Sequence, residues 1–232
     1  MRADYNCPLL KERIGRIGDG GKWVCGLRSN LMRGRRCLVY SLGSAGDTSF
    51  EDELLSTIDC EVHTFDPTLD KAVQAAVQAR PKLQFHAIGV GGSTKPGPGQ
   101  TPISIGNLHS LESIMADLQH AWIDILKIDI ESHEWGLFTD FYAAHGARLP
   151  ATQLLVEFHF PGQAATVWEV LDAILEDKYR VFSVEPNYYC ENGCCARDLL
   201  EFAFIKVSDK GQVCAPMHRA GQHEGIVLPP GC

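Results

Sequence analysis

The chain has 232 residues, with 21 basic against 29 acidic side chains and a formal net charge of −8. That balance repels a phosphate backbone and argues against nucleic acid as a partner. No run of about 18 apolar residues marks a membrane span, and the first residues lack a signal-peptide pattern. The length suits one open α/β domain over 1–232, divided into an N-terminal cap segment (1–36), a core (37–207) and a C-terminal tail (208–232).

In chain order, strands and helices take turns. "CLVYSLG" (37–43) is the first short apolar run, followed by an acidic helix near 49–58, a strand "EVHTFDP" (61–67), and a helix "TLDKAVQAAVQARP" stopped by its proline. A third strand is expected over 83–90, a flexible surface loop over 91–100 and a polar helix near 108–118. "DILKIDI" (124–130) and "QLLVEFHF" (153–160) are the fourth and fifth strands, separated by a helix "EWGLFTDFYAAHG" that ends at Gly146. Over 164–177, Val167, Val170, Leu171, Ile174 and Leu175 form one apolar helical stripe. "YRVFSVEP" (179–186) and "LLEFAFIKV" (199–207) have no helix between them and are expected to pair antiparallel through a long cysteine-bearing connection. Strands alternating with helices predict a largely parallel sheet of seven strands, covered on both faces.

The polar residues that carry chemistry gather at the carboxyl ends of these strands, where open α/β sheets bind ligands. Gly43, Ser44, Ala45 and Gly46 turn the first strand into the following helix; such a turn offers backbone N–H groups to a nucleotide-like ligand, or is an ordinary connection. Asp66 lies twenty residues beyond Gly46, where an acidic side chain can accept hydrogen bonds from ribose hydroxyls, or merely starts an Asp-Pro turn. The nicotinamide fingerprint G-x-G-x-x-G is absent. In extended chain Asp129 and Glu131 share a side, as do Glu157 and His159. Asp129, Glu157 and His159 could hold Mg²⁺ or Mn²⁺; alternatively His133 or His159 takes a proton from a hydroxyl while Asp129 positions it. Upstream, "GDGGKWVC" reads either as a structural hairpin cap or as a lid that brings Asp19 and Lys22 to the ligand, with Cys25 bonded to Cys7.

Nine cysteines raise the question of compartment. "CENGCC" lacks the two-pair spacing of a zinc site, so disulfides in the secretory lumen (Golgi) or in a secreted protein are expected, with a reduced cytoplasmic protein as the alternative.

"VYSLGSAGDTSFE", "HTFDPT", "FHAIGVGG", "ILKIDIESHEW" and "LLVEFHF", in this order, resemble the FkbM-like S-adenosylmethionine methyltransferases, and more closely methyltransferase-like proteins that also carry "RIGDGGKWVC". The resemblance spans roughly residues 7–207 and implies a Rossmann-like class I fold whose last strand is antiparallel. It implies that Gly43, Ser44 and Gly46 face the methionine part of the cofactor, Asp66 its ribose, and Ala87 and Ile88 its adenine, with Asp129 near the transferred methyl. The family form has Gly where this chain has Ser132. The activity implied is O-methylation of a hydroxyl on a sugar or glycan; a non-catalytic glycan- or protein-binding module on the same fold is the alternative.

Overall fold

The computed structural model describes residues 2–29, 32, 37–92, 108–159, 164–187, 190, 191, 194, 195, 199–217 and 227–232. An antiparallel hairpin, β1 (Lys11–Ile14) and β2 (Lys22–Cys25), precedes β3 (Cys37–Leu42), α1 (Ser49–Thr57), β4 (Cys60–Phe65), α2 (Lys71–Gln78) and β5 (Leu83–His86). β6 (Gly89–Val90), β7 (Leu108–His109), α3 (Leu111–Asp117), β8 (Ile123–Ile128), α4 (Glu134–His145), β9 (Ala151–His159) and α5 (Ala164–Glu176) follow. The last elements are β10 (Tyr179–Pro186), the short pair β11 (Cys190–Glu191) and β12 (Cys194–Cys195), and β13 (Leu199–Lys206).

The main sheet has seven strands in the order β10-β13-β9-β8-β3-β4-β5. Its five strands from β9 to β5 are parallel, while β13 runs antiparallel to both β9 and β10. This is the Rossmann-like α/β arrangement expected, and its seven strands are those read from the apolar runs. Two boundaries differ for local reasons. The run 83–90 is broken after His86, and Gly89–Val90 pairs instead with Leu108–His109, so that Val90 enters the core beside Leu111. Helix α3 starts at Leu111 because the Ser110 hydroxyl accepts from the Ser113 N–H. Most of the expected 91–100 loop lies outside the described residues.

Alternation along the strands divides the core into two layers. Tyr40, Leu42, Leu126, Ile128, Leu154, Val156, Phe158, Phe202 and Phe204 face the layer that includes side chains of α3, α4 and α5. Val39, Ile125, Leu155, Ala203 and Ile205 face the other, which is closed by α1 and by Ile14 and Val24 of the hairpin. On this second face the pattern turns polar toward one end of the sheet, at Ser41, Lys127, Glu157 and Glu201. The hairpin is seated there by side-chain bonds: the Gln153 amide accepts from Cys25 N–H at 2.9 Å and donates to Cys25 O at 2.9 Å. Glu185 accepts from Arg13 and from the Trp23 indole.

Disulfides join Cys7 to Cys25, Cys37 to Cys60, and Cys214 to Cys232. The first is the pair expected from the hairpin; the second links neighbouring residues at the start of β3 and β4. The side chains of Cys190, Cys194 and Cys195 lie outside the described residues. Among the described residues no helix is long and apolar enough to cross a membrane. Because the Cys7–Cys25 bond closes a separation of 18 residues, replacing both cysteines by serine is expected to cost about 3 kcal/mol, measured as a shift in the urea unfolding curve. An unchanged curve would show that the hairpin is held by its side-chain bonds alone.

Candidate active site

A cleft of about 830 Å³ opens at the carboxyl ends of the parallel strands. Its walls carry Gly43 to Asp47 after β3, Phe65 to Thr68 after β4, Gly89 and Val90, Lys127, Asp129, Ile130 and Glu131 around the end of β8, Glu157 and His159 from β9, and Arg16, Asp19 and Gly20 from the hairpin loop. His133, Asn187, Leu108 and Leu199 complete the lining.

The glycine turn is shaped by two requirements. Gly43 and Gly46 have φ of +78° and +84°, and a Cβ on Gly43 would lie 1.7 Å from the Asp129 carbonyl oxygen, so no side chain fits there. The turn's amides are not aimed at the cleft. Asp66 Oδ2 accepts from Ser44 N–H (3.0 Å), Ala45 N–H (2.8 Å) and the Ser44 hydroxyl (3.3 Å), and Gly46 N–H donates to the Ser44 hydroxyl. Asp66 Oδ1 accepts from Thr68 N–H and the Thr68 hydroxyl. Burial alone would raise the Asp66 carboxyl, but these bonds hold it below its ordinary value. Asp66 thus stands at the cleft wall as the clamp of the turn, with most of its acceptor capacity taken. Lys127, a cation in the buried strand β8, donates to Gly43 O at 2.9 Å and fastens the turn from the other side.

The carboxylates at the far wall are organised by Lys22. Its side chain is buried, and its ammonium lies 3.4 Å from Asp129 Oδ2 and 3.5 Å from Glu157 Oε2 and forms an ion pair with Glu201 Oε1. Glu201 stands directly opposite Glu157 in the β13–β9 ladder, where two like charges repel. Burial pushes the Glu201 carboxyl well above the ordinary carboxylate range, and its hydrogen bond to Glu157 and that group's charge push it further. Burial would lower Lys22, yet the charges of Glu201, Asp129 and Glu157 raise it. Asp129 is held low, against the effect of burial, by Lys22, Lys127 and His159. One ammonium therefore faces three carboxyl groups, of which Asp129 is held toward its charged form and Glu201 is pushed toward its neutral one.

His159 has a separate setting. Its Nε2 lies 3.2 Å from Glu131 and 3.7 Å from Glu157, and its Nδ1 lies 3.2 Å from Glu134. Burial opposes the charge on this imidazole, but the hydrogen bonds and charges of Glu131 and Glu134 push it up to about 11. Glu134, itself raised by burial with His159 opposing, also accepts from Ile130 N–H. The chain between Asp129 and this pair does not stay extended: Glu131 and Ser132 have φ of +53° and +74°. That left-handed turn swings Glu131 onto His159.

These placements sort the residues expected from the sequence. Gly43, Ser44, Gly46, Asp66, Asp129, Glu131, His133, Glu157, His159 and Asp19 all line one cleft. Lys22 lies behind it rather than at its surface, and the wall near the third strand is made by Gly89 and Val90, just beyond Ala87 and Ile88. A divalent ion on Asp129, Glu157 and His159 would compete with the Lys22 ammonium, which bridges the two carboxylates, and with the contacts of both His159 ring nitrogens, although ligand atoms of Asp129, Glu131 and His159, and of Asp19, Asp129 and Glu157, come within 4.8 Å of one another. His159, one of the two candidate bases, is paired with Glu131 and Glu134. Lys127, Glu134, Asn187 and Glu201 were not anticipated. Lys127 and Glu201 could have been found as charges inside apolar strand runs; Asn187, which donates to Glu157 at 3.1 Å and to Asp19 at 3.2 Å, carries no such signal.

A family model described as "Methyltransferase domain" matches residues 1–206. The human probable methyltransferase-like protein 24 is 34% identical over 110 residues, covering 46% of this chain and 28% of that protein. The rat counterpart is 35% identical over the same length, covering 46% and 29%. The match thus takes in less than a third of either curated relative. Among solved structures, the 1,6-didemethyltoxoflavin-N1-methyltransferase of Burkholderia thailandensis superposes with a TM-score of 0.42 at 12% identity, over 75% of this chain and 72% of that one.

Two outcomes test the electrostatics. Glu201→Gln removes one of two facing buried carboxyls while keeping an acceptor for the Lys22 ammonium and is expected to change stability by less than about 1 kcal/mol, whereas Lys22→Met strands buried carboxylates and is expected to cost about 3–5 kcal/mol; equal losses in urea unfolding would refute the crowding of Glu201 against Glu157. Because the folded pKa of His159 is raised from 6.5 to about 11, its contribution to stability is complete below pH 6.5 and disappears as pH rises through 11. The stability gap between wild type and His159→Gln, followed by urea unfolding from pH 6 to 10.5, should narrow toward the alkaline end.

Proposed function

The chain belongs to this methyltransferase-domain family, and we propose that it transfers the methyl group of S-adenosylmethionine to a hydroxyl, with a sugar or glycan as acceptor. The observation that carries the donor assignment is the pairing of an acidic cleft with a turn whose amides are already satisfied. Asp19, Asp47, Asp66, Asp129, Glu131 and Glu157 outnumber Arg16 and Lys127 along the walls. Such a lining attracts a cation and repels phosphate, while the amides of Ser44, Ala45 and Gly46 have no donor left for a pyrophosphate. A dinucleotide is therefore a poor fit and a sulfonium a good one.

When bound, the donor supplies an activated methyl on a positively charged sulfur. The protein's part is alignment and proton removal. Asp129, held by Lys22, accepts a hydrogen bond from a neighbouring hydroxyl of the acceptor and so directs the reacting oxygen. His133, at the cleft wall before α4, takes the proton, since His159 already carries one; His159 in turn fixes Glu131. The acceptor class rests on the FkbM-like sequence motifs, and the three disulfides among the described residues favour a lumenal or extracellular setting.

Calorimetry with S-adenosylmethionine and with NAD tests the donor: binding of the first alone is expected. Turnover with labelled donor against a panel of sugars and glycoproteins tests the acceptor. His133→Gln should then lower kcat by about 100-fold or more with donor affinity unchanged, and addition of Mg²⁺ or Mn²⁺ should leave the rate where it was. Donor binding with no transfer to any hydroxyl would return the protein to the binding-module reading.

A further inference from the structure

A second cluster of polar side chains is built on β4 and β5, upstream of the cleft. Glu61 and His63 lie two apart on β4 and so share a face, and His120 is brought over them after α3, where its N–H donates to Met115 O at 2.8 Å. Glu61 Oε1 lies 3.2 Å from His63 Nε2 and 3.8 Å from His120 Nε2. Gln84, the β5 neighbour of His63, puts its side-chain amide nitrogen 3.2 Å from the same Glu61 oxygen and 3.3 Å from His63 Nε2. The remaining nitrogen of each imidazole is held from behind: His63 Nδ1 lies 2.9 Å from His86 Nε2, and His120 Nδ1 lies 2.7 Å from the Tyr40 hydroxyl.

We propose that Glu61, His63 and His120 bind a divalent transition metal of the zinc class, with the Gln84 amide or a water as fourth ligand. Ligand atoms from all three residues come within 4.8 Å of one another. Two imidazoles and one carboxylate form a donor set that suits Zn²⁺ and that Mg²⁺ or Ca²⁺, which prefer oxygen, would not select. The outer contacts of His86 and Tyr40 are those that orient metal-bound histidines, leaving each Nε2 turned inward. An amide rotation places the Gln84 oxygen where its nitrogen is drawn, since the two ends of the group are interchangeable in shape. Glu61 and His120 retain partial exposure, and His120 also lines a surface groove, so an ion has a path in.

The site stands apart from the methyl-transfer reading and does not depend on it. Its link to the cleft is mechanical. The His86 ring stacks on Phe65 at 4.6 Å, and Phe65 and the adjacent Asp66 line the cleft, so an ion here would stiffen the strand ends that carry them.

Titration of the untagged, metal-stripped protein with Zn²⁺ by calorimetry, and with Co²⁺ followed by its visible ligand-field bands, tests the proposal. One equivalent with the bands of a four-coordinate nitrogen and oxygen site is expected. Glu61→Gln and His120→Ala, both at partly exposed positions, should each weaken that equivalent at least 100-fold, and Tyr40→Phe about 10- to 100-fold. His159→Gln should leave it intact, which separates this site from the cleft. Absence of any metal uptake, or an equivalent that survives both Glu61→Gln and His120→Ala, would overturn the assignment. Should His120→Ala fail to fold, Glu61→Gln alone decides.

Discussion

The Lys22 ammonium is the interaction on which the arrangement of the cleft depends. A sheet whose face carries Glu157 and Glu201 directly opposite each other, with Asp129 nearby, cannot be buried without a counter-charge. The hairpin supplies it from above, and everything that seats the hairpin serves to hold that charge: the Gln153 amide on both backbone groups of Cys25, the Glu185 bonds to Arg13 and Trp23, and the Cys7–Cys25 disulfide. The N-terminal segment is therefore part of the sheet's electrostatics as well as a covering for it. It also brings Arg16 and Asp19 to the mouth of the cleft.

A different logic governs the opposite wall. The Gly43–Gly46 turn gives its amides to Asp66 and its first carbonyl to Lys127, so the turn is a rigid shape with little hydrogen-bonding capacity of its own. In nucleotide-binding turns of similar outline, free amides meet phosphate. Here the same outline has been filled from within by a carboxylate, and what is left to the ligand is space and negative potential.

The fold was legible because each strand announced itself as an apolar run and each helix as a stripe or an acidic segment, and seven such runs in alternation admit few topologies. Strand ends were legible too: "GSAG", "FDP", "KIDIE" and "VEFHF" all converge on one cleft, as strand-end polar residues must in an open sheet. What the pattern concealed was the third dimension. Lys22 and Glu201 are 179 positions apart and meet only because the hairpin folds back over β13. His159 reads as a titrating imidazole until Glu134 and Glu131 are placed on either side of it, and Asp66 as a free acceptor until Thr68 and the turn are seen to use it. The left-handed turn at Glu131 and Ser132, which sends Glu131 to His159, left no mark in the apolar pattern.

The seating of Lys22 also bears on how the chain can be made. Its partners Asp129, Glu157 and Glu201 follow it by 107, 135 and 179 positions, so the hairpin leaves the ribosome long before any of them exists. During that interval its lysine has no buried destination, and the docked hairpin must wait for the strand that is synthesised last. A nascent chain stopped short of Glu201 would still hold Asp129 and Glu157 in place of the full acidic set, but would lack β13 itself, which lies between β9 and β10. Assembly of the cleft in this sense waits on the last strand of the sheet, and the hairpin that precedes every other strand is among the last elements to find its position.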